Sequence, residues 1–397
     1  MTSICFYFQV HQPFRIKNYN FFNIGVDDNY EFEEQNKSIL DKVAAKCYLR
    51  TNEVLYQLIK KHNGKFKISF SISGVALEQF EKYRPDVLES FKKLVATGCV
   101  ELLSETYYHS LSFIYSKDEF ERQVLLHRAS IKRIFGVTPS IFRNTELIYN
   151  NELSYYAHQL GFKGIITEGV DRHLGSRSPN FLYSSPSAPI KVFLKNYKLS
   201  DDIAFRFSNK DWEEHPLSSH KFAHWVHSMA GHAEILNLFM DYETFGEHQW
   251  EESGIFNFLE HLPDAIFTHP DFNFITPSEA ANTLEVRETY DIHHFISWAD
   301  SERDLSAWIS NDLQEEALSR IYSFEGEVMA SDNKDLIHTW RKLQTSDHFY
   351  YMCTKFWNDG DVHKYFSPFD SPFQAFSNYM NVLTDFEHRF NLVPNNN

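Results

Sequence analysis

Two stretches of this chain share one pattern, in which an apolar run stops abruptly at acidic residues. Residues 235–248 read ILNLFMDYETFGEH, and Asp241 is the first acid after the run. Residues 139–146 read PSIFRNTE, and Glu146 is followed by a helix-like segment. Apolar runs that end in polar residues indicate buried strands whose carboxyl ends open into a site. Because parallel strands have their carboxyl ends on one face of the sheet, Asp241 and Glu146 could meet across a pocket.

Strand-like and helix-like segments alternate over most of the chain. The other segments with strand patterns are residues 4–9, 65–72, 100–103, 164–168 and 272–275. Helical patterns between them carry start and stop signals, such as Pro277 near a helix start and Gly64 after a helix end. Seven strands alternating with helices predict an α/β fold with a parallel sheet, and a length of 397 residues favours a closed or nearly closed barrel.

Two parts of the chain depart from this alternation. Residues 175–209 contain three prolines around a short apolar run, so we interpret residues 175–232 as an excursion or insertion. From Ser297 onward strand patterns stop and helical patterns take over. We therefore predict a catalytic barrel over residues 1–296 and a C-terminal α-helical domain over residues 297–397, which completes the active site.

Composition narrows the classes of partner. The net charge of −16 with 38 basic residues repels phosphate backbones and anionic membranes, so we expect neither nucleic-acid nor membrane binding. With 37 Phe, 21 Tyr and 7 Trp, rings are available to stack on a neutral ligand. Four cysteines without a Cys-x-x-Cys pair predict buried, reduced thiols. The sequence shows neither a secretion-signal pattern nor an apolar run of transmembrane length, so we expect a cytoplasmic protein.

The two acids at predicted strand ends suit one chemistry in particular. A single carboxylate in such a place is often a helix cap or half of an ion pair. Cleavage of a glycosidic bond needs one carboxylate as nucleophile or base and a second as proton donor, on opposite sides of the sugar. Glu146 and Asp241 supply such a pair if the fold brings them face to face.

Five motifs in order along the chain together resemble the sequence regions of glycoside hydrolase family 57. The motifs are HQP at residues 11–13, VELL at 100–103, RNTEL at 143–147, MDYETFGEH at 240–248 and SWADSERDLSAW at 297–308. They span nearly the whole chain and look most like the α-amylase-type members. The resemblance implies an incomplete seven-stranded (β/α)7 barrel followed by a helical bundle, and a retaining mechanism on α-1,4-glucans. On the same basis Glu146 matches the nucleophile and Asp241 the general acid/base.

Residues in or near these motifs are candidates for the substrate site. His11 could donate to a sugar hydroxyl or to the nucleophile, or be a structural histidine. Arg143 could hold Glu146 ionised by lowering its pKa, or form an ion pair elsewhere. Trp298 could be a stacking platform for a sugar or a buried core residue. The other candidates are Gln12, Glu101, Glu105, His109, Asp300, Arg303 and Asp304, the last two of which also fit a capping and salt-bridge set.

A histidine series in one predicted helix resembles zinc spacing. The series His220, His224 and His227, with His215 before it, would put three imidazoles near one helix face. No acid accompanies them at metalloprotease spacing, and a chain with 20 histidines forms such clusters by chance. We interpret the segment as a solvated helix and expect neither a metal nor another cofactor.

Three functions remain open at this point, together with a weaker fourth. The first is hydrolysis of α-glucans or maltooligosaccharides, and the second is 4-α-glucanotransfer with the same two carboxylates. The third is glycan binding on a catalytically weak scaffold, which the presence of both acids argues against. A metal-dependent polysaccharide deacetylase would need an Asp-Asp pair after the first strand, where this chain has His11-Gln12-Pro13.

Overall fold

The computed structural model describes residues 1–357 and 367–391 and has an α/β fold. The strands within these residues are β1 (Thr2–Val10), β2 (Ile68–Ile72), β3 (Val100–Leu102), β4 (Ile141–Arg143), β5 (Gly164–Glu168), β6 (Leu182–Ser184), β7 (Lys191–Lys195), β8 (Ile235–Asp241), β9 (Phe272–Phe274) and β10 (Glu288–Thr289).

Helices connect these strands and make up the C-terminal part of the chain. Over the barrel they are α1 (Glu33–Val43), α2 (Leu49–Lys61), α3 (Gly74–Tyr83), α4 (Pro85–Val95), α5 (Ser112–Tyr115), α6 (Lys117–Phe135), α7 (Asn151–Gln159), α8 (Asp171–Leu174), α9 (Tyr197–Ala204), α10 (Ser219–His227), α11 (Ile255–Phe267) and α12 (Pro277–Thr283). Beyond it are α13 (Asp312–Ser323), α14 (Glu325–Ala330), α15 (Lys334–Lys342), α16 (Ser346–Tyr350) and α17 (Pro372–Asn391).

Seven strands run parallel and follow one another around a barrel. One sheet has the order β3, β2, β1 and β8, and the other contains β7, β5 and β4 as parallel neighbours. At one seam Ser104, just beyond β3, pairs with Phe142 of β4. At the other, the backbone N–H of Asn196, just beyond β7, donates to the carbonyl of Asn237 in β8 at 2.9 Å. The carboxyl ends of all seven strands therefore lie on one face.

The opposite end of the barrel is covered by α12. An apolar cluster with members from most barrel strands packs against Ala280 of this helix. Its strand members are Cys5, Tyr7, Ile141, Ile166, Leu182, Phe193, Ile235 and Phe239. Full burial of an apolar side chain of this kind contributes roughly 1.5–3 kcal/mol. α12 begins at a capping box between Thr276 and Glu279, so the sequence signature for this helix start is confirmed.

The C-terminal helices form a second apolar core, in which the loop after β1 takes part. Members from the helices and the segment before them include Trp308, Leu318, Ile321, Trp340, Phe349, Val382 and Phe386. Tyr19 and Tyr30 from the loop pack into the same core. The hydroxyl of Tyr30 also donates to the buried carboxylate of Asp385 in α17 at 2.6 Å. This packing attaches the C-terminal helices to the carboxyl-end face, where the loop after β1 begins.

All seven predicted strands occur, but the interpretation of residues 175–232 as an excursion was wrong. That segment contains β6, β7, α9 and α10, and β7 pairs in parallel with β5. The predicted seventh strand, β9, pairs with the first residues of β1. The prolines indicated an irregular segment, but they lie in the links around β6 and β7 and not within these strands. The apolar run noted among these prolines belongs to β7, where only Val192 to Leu194 are consecutively apolar, and a run of this length did not by itself predict a strand.

The helical patterns after Ser297 are confirmed within the described residues, where β10 is the last strand. Residues 358–366 and 392–397 of the predicted C-terminal domain lie outside the described part of the chain. The boundary at residues 296 and 297 stays a prediction. All four cysteines are buried free thiols, as expected. Across the described residues we find no helix with the length and apolarity that a membrane crossing requires.

Candidate active site

Both predicted acids lie at carboxyl ends of barrel strands. Asp241 is the last residue of β8, and Glu146 lies three residues beyond the end of β4 in the short 3-10 turn Thr145–Leu147. The backbone of Glu146 is left-handed, with φ of 56°. A residue other than glycine rarely adopts this conformation, which costs on the order of 1–3 kcal/mol and is found preferentially at functional sites.

Hydrogen bonds from two directions hold the Glu146 carboxylate. His109 Nε2 lies 2.9 Å from Oε1, and Trp298 Nε1 donates to Oε2 at 2.6 Å. Burial disfavours the charged form of Glu146. The hydrogen bond and charge of His109, the charge of Arg143 and the Trp298 donor outweigh it, so that the pKa of Glu146 is lowered. Glu146 is therefore ionised at neutral pH.

Asp241 has the opposite electrostatic setting. Burial, followed by the negative charge of Glu146, raises the pKa of Asp241 to about 6, against the smaller effects of Arg143, Lys195 and His109. A carboxyl group with this pKa keeps a proton in a useful fraction of molecules near neutral pH. Two carboxyl groups whose surroundings shift their pKa values in opposite directions can act as a nucleophile and a proton donor in one site.

His109 links the nucleophile candidate to a second, deeper carboxylate. Its Nδ1 lies 2.9 Å from Glu105 Oε2, and its Nε2 also lies 3.2 Å from Gln9 Nε2. Burial would lower the pKa of His109, but hydrogen bonds to Glu105 and Glu146 raise it to about 9. The pKa of Glu105 falls to about 2 in spite of its burial, because His109 and Arg143 stabilise the carboxylate.

Arg143 completes this buried cluster from the end of β4. Its guanidinium donates to Gln9 Oε1 and lies 3.5 Å from Glu105 Oε2. The side chains of Arg143, Glu105 and His109 are all 0% exposed, whereas that of Glu146 is 22% exposed. A substrate can therefore reach Glu146 but not the groups behind it. Two cations face two anions here, so the cluster is neutral in charge.

The C-terminal helices contribute to the site through Asp347 of α16. His11, just beyond β1, is 2.9 Å from Asp347 Oδ2 through Nε2 and 2.8 Å from Ser73 Oγ through Nδ1. The His11 ring stacks on that of His109 at 3.9 Å between centroids. Burial and the charge of His109 lower the pKa of His11, so it is neutral. His11 thus contacts the His109 imidazole, which is bonded to Glu146, rather than Glu146 itself.

Trp298 lies against the nucleophile candidate with its ring beside two cations. Its ring centroid is 5.5 Å from the Arg143 guanidinium and 5.4 Å from Lys195 Nζ. Lys195, the last residue of β7, is buried and lies 3.0 Å from Asp201. The Trp298 side chain is half-buried, and the indole N–H that binds Glu146 ties residues 297–308 to the barrel.

Arg303 anchors the same segment at a different point. Its guanidinium donates to Glu168 Oε2 at 2.6 Å, and Glu168 is fully buried at the end of β5. Asp304 accepts hydrogen bonds from the backbone N–H and the hydroxyl of Ser306, so it stabilises a local turn. Asp300 has a left-handed φ of 53° and lies 4.0 Å from Lys355 Nζ.

Two predicted substrate contacts lie elsewhere. Glu101 Oε2 accepts from the backbone N–H of Ser278 in α12 at 2.8 Å, at the amino end of the barrel. Glu101 is the middle residue of β3, and its side chain contacts α12 rather than the carboxyl-end face of the barrel. Gln12 Nε2 donates to the Tyr48 hydroxyl at 3.4 Å, in a neighbouring cluster around Glu243.

Sequence reasoning missed several groups that the structure brings to the site. Asp347 lies in a helix of the C-terminal part, and Lys195 lies in the segment taken for an excursion. Gln9 was recognised only as the end of the first strand. Sequence reasoning also missed Glu243, two residues after Asp241, which lies in the neighbouring cluster with Gln12 and Tyr48; burial and the Asp241 charge raise its pKa to about 8. Its position in the acidic cluster was a signal that could have found it.

The histidine series lies on α10, so the predicted helix is confirmed. His227 Nε2 bonds to the carbonyl of Ile266 at 3.0 Å. Among residues 1–357 and 367–391, histidine, cysteine and acidic side chains nowhere gather in threes around a point that could hold a metal ion.

A barrel that carries two carboxyl groups with different surroundings at its strand ends suits the class of enzymes that cut glycosidic bonds. Comparison with known proteins agrees. The model of the family described as glycosyl hydrolase family 57 matches residues 5–293. The chain belongs to this family.

A relative and two solved structures show the extent of the similarity. "Putative alpha-amylase" of Methanocaldococcus jannaschii is 45% identical over 397 residues, covering 97% of this chain and 84% of that protein. A family 57 branching enzyme from Thermococcus kodakaraensis has a TM-score of 0.68 at 14% identity, over 89% of this chain and 86% of that one. The 4-alpha-glucanotransferase of Thermococcus litoralis has a TM-score of 0.65 at 18% identity, over 88% of this chain. The match spans 56% of that transferase chain. The two structures establish the shared fold.

Proposed function

We propose that this protein hydrolyses α-1,4-glucosidic bonds in α-glucans with retention of configuration. Glu146 is the nucleophile and Asp241 the general acid and base. The observation that carries the proposal is the different surroundings of the two acids: hydrogen-bond donors lower the pKa of Glu146, whereas burial and the charge of Glu146 raise that of Asp241 to about 6.

In the first step Glu146 attacks the anomeric carbon while Asp241 gives its proton to the departing glycosidic oxygen. The sugar on the leaving side is released, and a covalent glycosyl ester of Glu146 remains. In the second step Asp241 takes a proton from water, the water oxygen attacks the same carbon, and the ester bond to Glu146 breaks. Two inversions at one carbon give net retention.

The electrostatic interaction between Glu146 and Asp241 helps Asp241 to act first as an acid and then as a base. While Glu146 is ionised, its charge contributes to the raised pKa of Asp241. Ester formation removes that charge, so the pKa of Asp241 falls and the group that acted as an acid becomes a base. The same interaction restores the proton donor when the ester is hydrolysed.

We also propose that residues 297–397 complete the active site instead of forming a separate module. Trp298 binds the nucleophile, and Asp347 holds His11 against His109. Buried Glu119 of α6 also pairs with Arg341 of α15 at 2.7 Å. A barrel cut at about residue 295 would lose these contacts and leave Glu119 without Arg341, so it should be inactive and poorly soluble.

Transfer to a sugar acceptor is the second candidate, since it uses the same covalent intermediate. The amylase name of the 45% identical relative favours hydrolysis. Incubation with maltoheptaose tests the proposal: hydrolysis yields only shorter oligosaccharides, whereas products longer than the substrate would mean transfer. Tight binding of maltoheptaose without any product would instead assign the scaffold to glycan binding.

A further inference from the structure

Glu105 is a buried carboxylate that the proposed reaction does not use directly. Its side chain is 0% exposed, so it cannot touch a substrate. It contacts His109 Nδ1 at 2.9 Å and Arg143 at 3.5 Å. Its own backbone N–H donates to Nδ1 of buried His127 at 3.3 Å, which fixes the start of the turn that leads to His109.

The imidazole of His109 lies between two carboxylates. Nδ1 faces Glu105 and Nε2 faces Glu146, each at 2.9 Å. A neutral imidazole donates from one nitrogen only, which would leave one carboxylate against a lone pair. An imidazolium donates to both. Without the Glu105 carboxylate, the hydrogen bond to Glu146 would still favour a charged His109, but burial and the Arg143 charge would oppose it.

The position of the ring is fixed as well as its charge. The backbone of His109 is left-handed, with φ of 53°, and its backbone N–H donates to the carbonyl of Thr106 at 3.1 Å. The His11 ring covers one face of the His109 ring with an interplanar angle of 20°. Rotation of the imidazole away from Glu146 would break its bond to Glu105. The charged and titratable groups around the ring are Glu105, Glu146, Arg143, His11, Asp241 and Asp347.

We propose that Glu105 is a positioning residue, whose carboxylate keeps His109 an imidazolium with Nε2–H directed at Glu146. This proposal rests on the proposed function, in which Glu146 is the nucleophile. Through His109, Glu105 keeps Glu146 ionised and oriented for attack on the anomeric carbon.

Titration of His109 by ¹⁵N NMR tests the hydrogen-bond arrangement without any turnover. The signal is assigned by its absence in His109→Gln. In the wild-type protein His109 should remain an imidazolium at pH 8, and in Glu105→Gln its midpoint should fall by about one pH unit or more. Glu101→Gln, the same change at the residue of β3 that contacts α12, is the control and should leave the midpoint unchanged. An unchanged midpoint in Glu105→Gln would overturn the proposal.

Kinetics on α-maltosyl fluoride, whose leaving group needs no proton, test the effect on Glu146. Glu105→Gln should lower kcat by about 10- to 100-fold, the equivalent of one charge-assisted hydrogen bond, with little change in KM. Glu105→Asp, which keeps the charge, should recover part of the rate and serves if the Gln variant does not fold. When His109 is already replaced by Gln, the additional change Glu105→Gln should lower kcat only slightly further.

If Glu105→Gln lowered kcat by the same factor in the His109→Gln background as in the wild-type protein, Glu105 would not act through His109. The proposal would then fail. A wild-type protein that does not turn over the fluoride would refute the proposed glycosidase function instead. The NMR titration would still decide whether Glu105 controls His109.

Discussion

The surroundings of the two acids differ, although both lie at strand ends of one barrel. Glu146 is surrounded by donors and cations: His109, Trp298 and the charge of Arg143. At Asp241, burial and the charge of Glu146 dominate. The surroundings therefore lower the pKa of one carboxyl group and raise that of the other. His109 lies in the loop after β3 and Trp298 in the C-terminal part, and only Arg143 belongs to β4, the strand before Glu146. The difference between the two pKa values therefore depends on the assembled fold.

The largest effect should come from removing the ionised member of the pair. Glu146→Gln keeps the shape of the side chain but cannot form the glycosyl ester, so we expect loss of activity by about four orders of magnitude or more. Reducing-sugar release from maltoheptaose measures this loss. Glu101→Gln, a matched change at the amino end of the barrel, should retain activity. Comparable turnover by Glu146→Gln would refute its role.

Removing Asp241, the proposed proton donor, should cause a smaller loss of activity, and its size should depend on the substrate. Asp241→Asn cannot protonate a sugar leaving group, so hydrolysis of maltoheptaose should fall about 100- to 10,000-fold. Attack on α-maltosyl fluoride should continue, and mass spectrometry should detect the accumulated glycosyl-enzyme. Equal losses on both substrates, with no covalent species, would mean that Asp241 is not the acid.

Loss of one hydrogen-bond donor to Glu146 should reduce the difference between the pKa values of Glu146 and Asp241. Trp298→Phe keeps an aromatic ring but removes the N–H that binds Glu146, so the pKa of Glu146 should rise. Activity requires ionised Glu146 and is lost as pH falls below that pKa, so the acid limb of the kcat/KM profile should move to higher pH. The alkaline limb reports loss of the Asp241 proton near pH 6 and should move little. An acid limb at the wild-type position would contradict this assignment.

The smallest expected effect is that of chelation. Because the two acids and their buried neighbours supply the chemistry proposed for this site, dialysis against EDTA should leave activity unchanged. Loss of activity that zinc restores would point back to the histidines of α10.

The sequence pattern located the two acids because each lies at or shortly after the end of an apolar strand, a signal contained within about ten residues. It missed Lys195, because the apolar run of β7 is short and lies among prolines. Asp347 could not be found in this way, since its contact with His11 joins residues 336 positions apart through tertiary packing. Glu105 was named as a candidate, but its role behind His109 depends on burial, which the sequence did not show.

The stereochemistry of the first-formed product tests the central claim most directly. If Glu146 attacks while Asp241 protonates, the two carboxyl groups lie roughly 5–5.5 Å apart and each turnover retains configuration. Proton NMR of maltoheptaose hydrolysis, recorded before mutarotation, should therefore show the α anomer first. Initial release of the β anomer would mean inversion, with water rather than Glu146 as the attacking group, and would contradict the account.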